Sequence, residues 1–446
     1  MAIVMKFGGT SVADAAAFEN VARIIAAQRA TIPVVVVSAM SGVTDALLAA
    51  TPSSVGPIFS RHLATAEELL PGPESERFAK FVKRAEAEVR QLLEAQTASD
   101  RKAVQDAVVS FGEILSSTLM AAVLNQHGVE ARQVDARRCI ITDEVHTCAA
   151  PLLRDTFART EDELRPLLDR GVVPVLGGFI GATLQGVTTT LGRGGSDYTA
   201  ALIGAALSVA EIQIWTDVTG VLTADPRVVP EAQTIDRLSY GEAAELAYFG
   251  AKVLHPKTIQ PAIENSILVR ICNSRLPQAR GTLVGPQSET PSRTIKAIAH
   301  KPGVTVVQIT SARMLGAYGF LRALFEVFER HRTVVDVVTT SEVSVSLSLD
   351  EASALPAIVE ELQQLGTVGI EKGRAIICVV GEGLRGTPGI AGRVFGTISD
   401  INVSLISQGT SSINFTFVVE EEHVKDAVTR LHEEFFSRDS AQNRAL

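Results

Sequence analysis

The chain has 446 residues, of which 46% are apolar and 20% charged, with a formal net charge of −9. That length exceeds one ordinary domain and points to roughly two to four. The acidic balance excludes long-range attraction as a route to nucleic acid or other polyanions, so an anionic ligand has to be met by cations gathered locally.

At the start, "AIVMKF" reads as a short buried strand, and it runs straight into "KFGGTS", Lys6 to Ser11. A lysine ending a buried strand carries a desolvation cost unless an anion meets its ammonium. The adjacent Gly8 and Gly9 let the backbone approach such an anion closely, and phosphate fits. "DAAAFENVARIIAAQRA" has the pattern of a helix, and "PVVVVSAM" that of a strand covered on both faces, followed by the loop "SAMSGVTD" (38–45). From Ser53 to Asp106 the chain reads as a helical insertion lying over the sheet. Glu113 then stands inside the apolar helix "SFGEILSSTLM", either on a solvated turn or paired with a cation.

The strand "GVVPVLGGF" leads into "LGGFIG" (176–181), and "TLGRGGSD" (190–197) opens an alanine-rich helix. Ser196 or Asp197 is placed to be its N-cap, and Arg193 just before it suits an anion at a helix N-terminus. Asp197 is therefore either a cap alone or part of a site. "WTDVTGVLTADPR" (215–227) is a long polar loop at a strand end, suited to a nucleotide, and "FGAKVLHP" adds Lys252, with His255 beside proline read as a structural cap.

This alternation predicts an α/β sandwich with a mostly parallel sheet, and glycine-rich loops after its strands are placed to share one crevice. Neither a Walker-type loop nor a G-x-G-x-x-G fingerprint is present. "GTLVGPQSETPSRT" (281–294) marks a boundary, after which Gly316–Leu349 and Gly386–Val419 form a weak internal repeat. Cys139, Cys148, Cys272 and Cys378 show no metal-type or CxxC spacing and read as reduced packing residues. With no leader-like N-terminus and no apolar run of about 18 residues, the expectation is a cytoplasmic protein that uses no membrane.

KFGGTS, SAMSGVTD, SFGE, LGRGGSD, WTDVTGVLTADPR and GAKVLHP, in that order and followed by two repeated modules, resemble the aspartate kinases of the amino acid kinase family. The resemblance covers essentially the whole chain. It implies an amino-acid-kinase-like three-layer sandwich over 1–285 and two α+β, ferredoxin-like ACT modules over 294–370 and 371–446, with strand or helix exchange between them. It also implies transfer of the γ-phosphoryl group of ATP, with Mg²⁺, to L-aspartate. Lys6, Gly8, Gly9 and Asp197 would be catalytic, with Asp197 holding Lys6. Ser38, Thr44, Glu113, Phe179, Arg193 and Ser196 would bind the amino acid. Lys6, Gly9, Thr216, Asp217, Asp225, Arg227 and Lys252 would serve the nucleotide, and no protein ligand is assigned to the metal. Leu222 stands where lysine-sensitive relatives often carry a tyrosine.

"VVDVVTTSEVSVSLSLD" most resembles the lysine-sensitive class, which implies an effector pocket of Met314, Gly319, Phe320, Leu321, Asp336, Thr340, Ser341, Glu342 and Val343. Asp336 and Glu342 suit a diammonium ligand. Ala317 and Tyr318 depart from the pattern, and loss of one hydroxyl contact costs about 0.5–1.5 kcal/mol. Lysine is the leading effector and threonine the second. The family implies a homodimer through the ACT modules, or a dimer of dimers. The competing readings are a kinase of another acidic amino acid and a catalytically silent ACT-type sensor.

Overall fold

The computed structural model describes residues 2–250, 254, 256–286, 294–350, 353–408 and 413–437. The chain forms two compact units: Met1–Val221, Asp236–Tyr240 and Val253–Gln287 in the first, and Leu222–Ile235, Gly241–Lys252 and Ser288–Leu446 in the second. Two stretches assigned from sequence to the catalytic region 1–285 therefore belong to the second unit. The cause is apolar burial, since Ala224 and Val229 lie in that unit's core.

In the first unit one sheet has the strand order Ala131–Val134, Val173–Gly177, Val34–Val37, Ile3–Phe7, Glu211–Thr216, Leu268–Asn273, Thr282–Gly285, Arg237–Ser239. Neighbours run parallel except for the pair Leu268–Asn273 and Thr282–Gly285. Val34–Val37 is buried at every position, as an unbroken β-branched run requires when both sheet faces are covered. Ile3–Phe7 lies between Val34–Val37 and Glu211–Thr216, and the crevice at its carboxyl end is the place where such a sheet binds ligands.

Asp14 caps the helix Ala15–Ala27 by accepting from the Ala17 amide. Helices Val55–Leu69, Gly72–Ala95 and Arg101–Gln126 fill the stretch read as a helical insertion. The last is long and apolar enough to cross a bilayer by composition, yet its Leu115, Leu119, Met120 and Leu124 are packed in one core with Val35, Val37 and Val175.

The second unit holds an antiparallel sheet in the order Val338–Thr340, Ser344–Leu349, Ala297–Thr310, Thr367–Val380, Asn414–Glu420, Leu405–Ser407. The internal repeat is visible in it. Gly319 and Gly389, with φ of 83° and 80°, open the helices Phe320–Arg330 and Ile390–Thr397, a left-handed conformation that glycine adopts without a Cβ penalty. Each helix is followed by a short strand, a longer strand and a second helix.

The module boundaries are not those expected. Val307 and Ile309 pack in the first core, whereas Ile295 and Ile298 pack in the second with Ala375, Ile377 and Val379. The long strand Ala297–Thr310 changes register between Lys301 and Val306 and passes from one core to the other. The first module is thus inserted into the second, rather than preceding it.

Candidate active site

Lys6 sits near the end of the central strand, with Nζ 2.7 Å from Oδ1 of Asp197; the two side chains are only 12% and 15% exposed. Asp197 comes from the helix Gly195–Ala206, whose N-cap is Gly194 at φ 75°, with no side-chain cap. The expected capping by Ser196 or Asp197 is therefore corrected. The left-handed glycine caps the helix two residues before Ser196 and three before Asp197, and Asp197, in the first turn, meets Lys6 instead.

The loops after the strands do converge. The Ser38 hydroxyl donates to Oγ of Ser196 at 3.1 Å, and a Cβ on Gly9 would lie 2.9 Å from the Ala39 carbonyl oxygen, so only glycine permits that approach. The Gly8 amide, expected to face a phosphate, donates to the Trp215 carbonyl at 3.1 Å. Gly9 begins the 3₁₀ turn Gly9–Val12, whose first amides have no intrahelical partner.

Glu113 is 3% exposed, which removes the solvated-turn reading. Its Oε1 accepts from the Ala39 amide at 3.2 Å, and Oε2 is buried without a hydrogen-bond partner among the described residues. Burial pushes its pKa up to about 8, only partly opposed by the Ala39 amide. Phe179 holds a left-handed backbone, φ 69°, with its amide donating to Oγ1 of Thr199. Thr44 is half-buried in the helix Val43–Leu48. Arg193 is exposed, in the turn just before Gly194, and makes no ion pair among the described residues.

On the other side of the central strand the Thr216 hydroxyl donates to Asp217 at 3.1 Å. The Thr216 carbonyl accepts from the amide and hydroxyl of Ser274 at 2.8 and 3.1 Å. Ser11 donates to the Ser274 hydroxyl at 2.9 Å, and Asn273 donates to Thr219 at 3.0 Å. Sequence reasoning missed Asn273 and Ser274. Their position at the end of the strand Leu268–Asn273, a parallel neighbour of Glu211–Thr216, was the available signal. It also missed Arg61, whose two Nη atoms donate to the carbonyls of Ser41 and Ala13 at 2.6 and 2.7 Å, tying two of the loops together.

Asp225 and Arg227 belong to the second unit and pair with each other at 2.6 Å. The Arg227 guanidinium holds the Asp225 carboxyl below its ordinary range. Lys252 lies outside the described residues.

The residues matched to an effector pocket gather in the first module. Met314 and Phe320 pack against its core, and Ser341–Val343 form the turn between strands Val338–Thr340 and Ser344–Leu349. Leu321, Thr340, Ser341, Glu342 and Val343 are exposed. Asp336 is not free: Nζ of Lys301 lies 3.1 Å from it, and the Tyr248 hydroxyl donates to it. Lys301 also pairs with Asp350 and sits 4.6 Å above the Tyr248 ring. Burial raises the Asp336 pKa, as does the neighbouring Asp350, against the opposing pull of Tyr248 and Lys301. Neither Lys301 nor Tyr248 was foreseen.

Among the described residues, the group of side chains with metal-ligating spacing is Glu420, Glu422 and His423, in the second unit. The strand ends of the first unit offer single carboxylates, a donor set that fits a metal ion arriving already held by phosphate oxygens and water.

The amino acid kinase family model matches residues 1–273, and an ACT domain model matches 377–435. The chain is 40% identical to Arabidopsis thaliana aspartokinase 3, chloroplastic, over 98% of its length and 82% of that protein's. It is 37% identical to Escherichia coli lysine-sensitive aspartokinase 3, over 97% and 99%. Two crystal structures of E. coli aspartokinase III superpose on it at 37% identity. One, in complex with aspartate and ADP, has a TM-score of 0.82 and covers 98% of this chain and all of its own. The other, in complex with lysine and aspartate, has a TM-score of 0.83 and covers 97% and 99%.

Proposed function

The chain belongs to the amino acid kinase family and is an aspartate kinase, and on that footing we propose how its residues carry the γ-phosphoryl group of ATP to L-aspartate. The observation that carries the proposal is the largely shielded Lys6–Asp197 pair beside a helix N-terminus and a buried, half-satisfied Glu113. In phosphoryl transfer a protein chiefly positions reactants and stabilises charge on the equatorial oxygens. The side-chain carboxylate of free aspartate, with a pKa of about 3.9, is already ionised at neutral pH, so no general base is needed.

In this reading a carboxylate oxygen attacks the γ-phosphorus while the bond to the bridging oxygen breaks, giving 4-phospho-L-aspartate and ADP. Lys6 meets the transferring group, oriented by its ion pair with Asp197, and the Gly9 amide faces the same phosphate. Glu113 receives the substrate ammonium, and Arg193 grips a carboxylate through its planar fork. Ser38, Thr44, Phe179 and Ser196 line the amino acid's side. Thr216 and Asp217 serve the nucleotide. Mg²⁺ would neutralise charge on the phosphates.

Regulation is the second part of the proposal: L-lysine binds the first ACT module and lowers activity, so that the enzyme controls the entry step of the lysine, threonine and methionine branch from the cytoplasm. The lysine-sensitive E. coli relative and the matching residues around Asp336 support it. Exposed Leu315, Leu321 and Phe325 on this module suit a homodimer, or a dimer of dimers, through the regulatory modules. The test is ADP release with ATP and Mg²⁺, offering L-aspartate or L-glutamate, with and without millimolar lysine or threonine. Turnover with aspartate alone that lysine suppresses supports both parts; aspartate turnover insensitive to lysine removes the second.

A further inference from the structure

We propose that Asp106 is a positioning residue that sets the spacing between Glu113 and Arg193, and so fits the site to the amino-acid substrate. The inference rests on the reading above, in which these two residues receive the substrate's ammonium and a carboxylate.

Asp106 is 1% exposed on the core helix Arg101–Gln126. A buried carboxylate is tolerated only where donors surround it, and here they come from two other segments. The Thr190 hydroxyl donates to Oδ1 at 2.6 Å, at the end of the strand Thr188–Thr190. The Thr147 amide donates to Oδ2 at 2.9 Å, and Nδ1 of His146 lies 2.9 Å from the same oxygen. Thr147 has φ 72°, a left-handed conformation costly for a β-branched residue, which the amide bond to Asp106 helps hold.

From this hub the contacts lead in two directions. Along the helix, Glu113 lies about two turns further on, on the same face. Across the loops, the Ala149 amide donates to the Thr190 carbonyl at 2.8 Å, and a Cβ on Gly192 would lie 3.3 Å from Sγ of Cys148. Residues 146–149 therefore seat the stretch Thr190–Gly192, and the next residue is Arg193. A rigid helix on one side and a seated loop on the other leave little freedom between the two substrate-reading groups. Among the described residues, the nucleotide side around Thr216 and Ser274 shares no hydrogen bond with this hub.

The ammonium and carboxylate of an amino acid have a set separation, so a loosened spacing penalises aspartate and spares ATP. The full-length chain carrying Asp106→Asn, Thr190→Val or Thr190→Ser is assayed for kcat, both KM values and thermal unfolding, beside Glu113→Gln and Arg193→Ala. Asp106→Asn and Thr190→Val are expected to raise KM for aspartate by about tenfold or more and KM for ATP by less than about twofold, with Thr190→Ser, which keeps the hydroxyl, near the parent. A loss of thermal stability with unchanged KM for aspartate, or equal rises in both KM values, overturns the inference. If Glu113→Gln and Arg193→Ala leave KM for aspartate unchanged, the reading beneath it falls and takes the inference with it.

Discussion

Lys6 and Asp197 face each other at 2.7 Å across the end of the central strand, the lysine from the strand and the aspartate from the first turn of the helix Gly195–Ala206. Each is mostly shielded from water, and the pairing offsets part of the cost of shielding the two charges. Lys6→Met is expected to lower kcat on the order of a hundredfold or more while the chain still binds aspartate, since the lost charge acts on the transition state. Asp197→Asn should lower kcat as well, through a lysine that is no longer held. Steady-state kinetics with calorimetric aspartate titration checks both; unchanged kcat in Lys6→Met excludes its role.

Glu113, with a pKa pushed up to about 8 by burial, is protonated in the free enzyme at pH 7 and must lose that proton to receive an ammonium. KM for aspartate should therefore fall as pH rises from about 6.5 to 8.5 and level off above, and Glu113→Gln should raise KM and flatten the profile. The stability consequence has the opposite direction. The folded chain holds this proton more tightly than the unfolded chain does, so stability declines as pH rises from the ordinary 4.5 to about 8. Glu113→Gln abolishes that decline, and its melting temperature should gain on the parent's between pH 5 and pH 8.5.

Arg61 reaches from the helix Val55–Leu69 to two loop carbonyls at once, at Ser41 and Ala13. Lysine cannot reproduce that fork. Arg61→Lys and Arg61→Ala should both lower kcat/KM, by about tenfold, with little change in melting temperature because the residue is exposed. Recovery of full activity in Arg61→Lys would show that charge alone matters there.

Asp336 already holds the chain's own ammonium, that of Lys301. A diammonium effector directed at Asp336 has to displace it, so Lys301→Met should leave basal activity in place and lower the lysine concentration that half-inhibits by about fivefold or more. An unchanged or higher half-inhibiting concentration would remove Asp336 from the effector's contacts.

Much of the fold was legible because local patterns decide it. Val34–Val37 could only be a fully covered strand, and the glycine-rich runs after strands had to turn where the sheet ends. Lys6 and Glu113 were conspicuous because a charge in an apolar run demands a partner. What stayed hidden depends on pairs remote in sequence. Lys301 and Tyr248 reach Asp336 through the fold alone, and Arg61 reads as one more polar residue on an amphipathic helix. The Ser196 or Asp197 cap was misplaced because a left-handed Gly194 competes with side-chain capping, which residue type alone does not reveal. Ile295 and Ile298 could not be assigned to the second module while one strand was taken to serve one module.

The most direct test is the rate of ADP release from ATP and Mg²⁺ by the parent chain and by Lys6→Met, each with and without L-aspartate. Phosphoryl transfer centred on Lys6 predicts aspartate-dependent release by the parent and a loss on the order of a hundredfold in the variant. Equal aspartate-dependent release by both chains would contradict it.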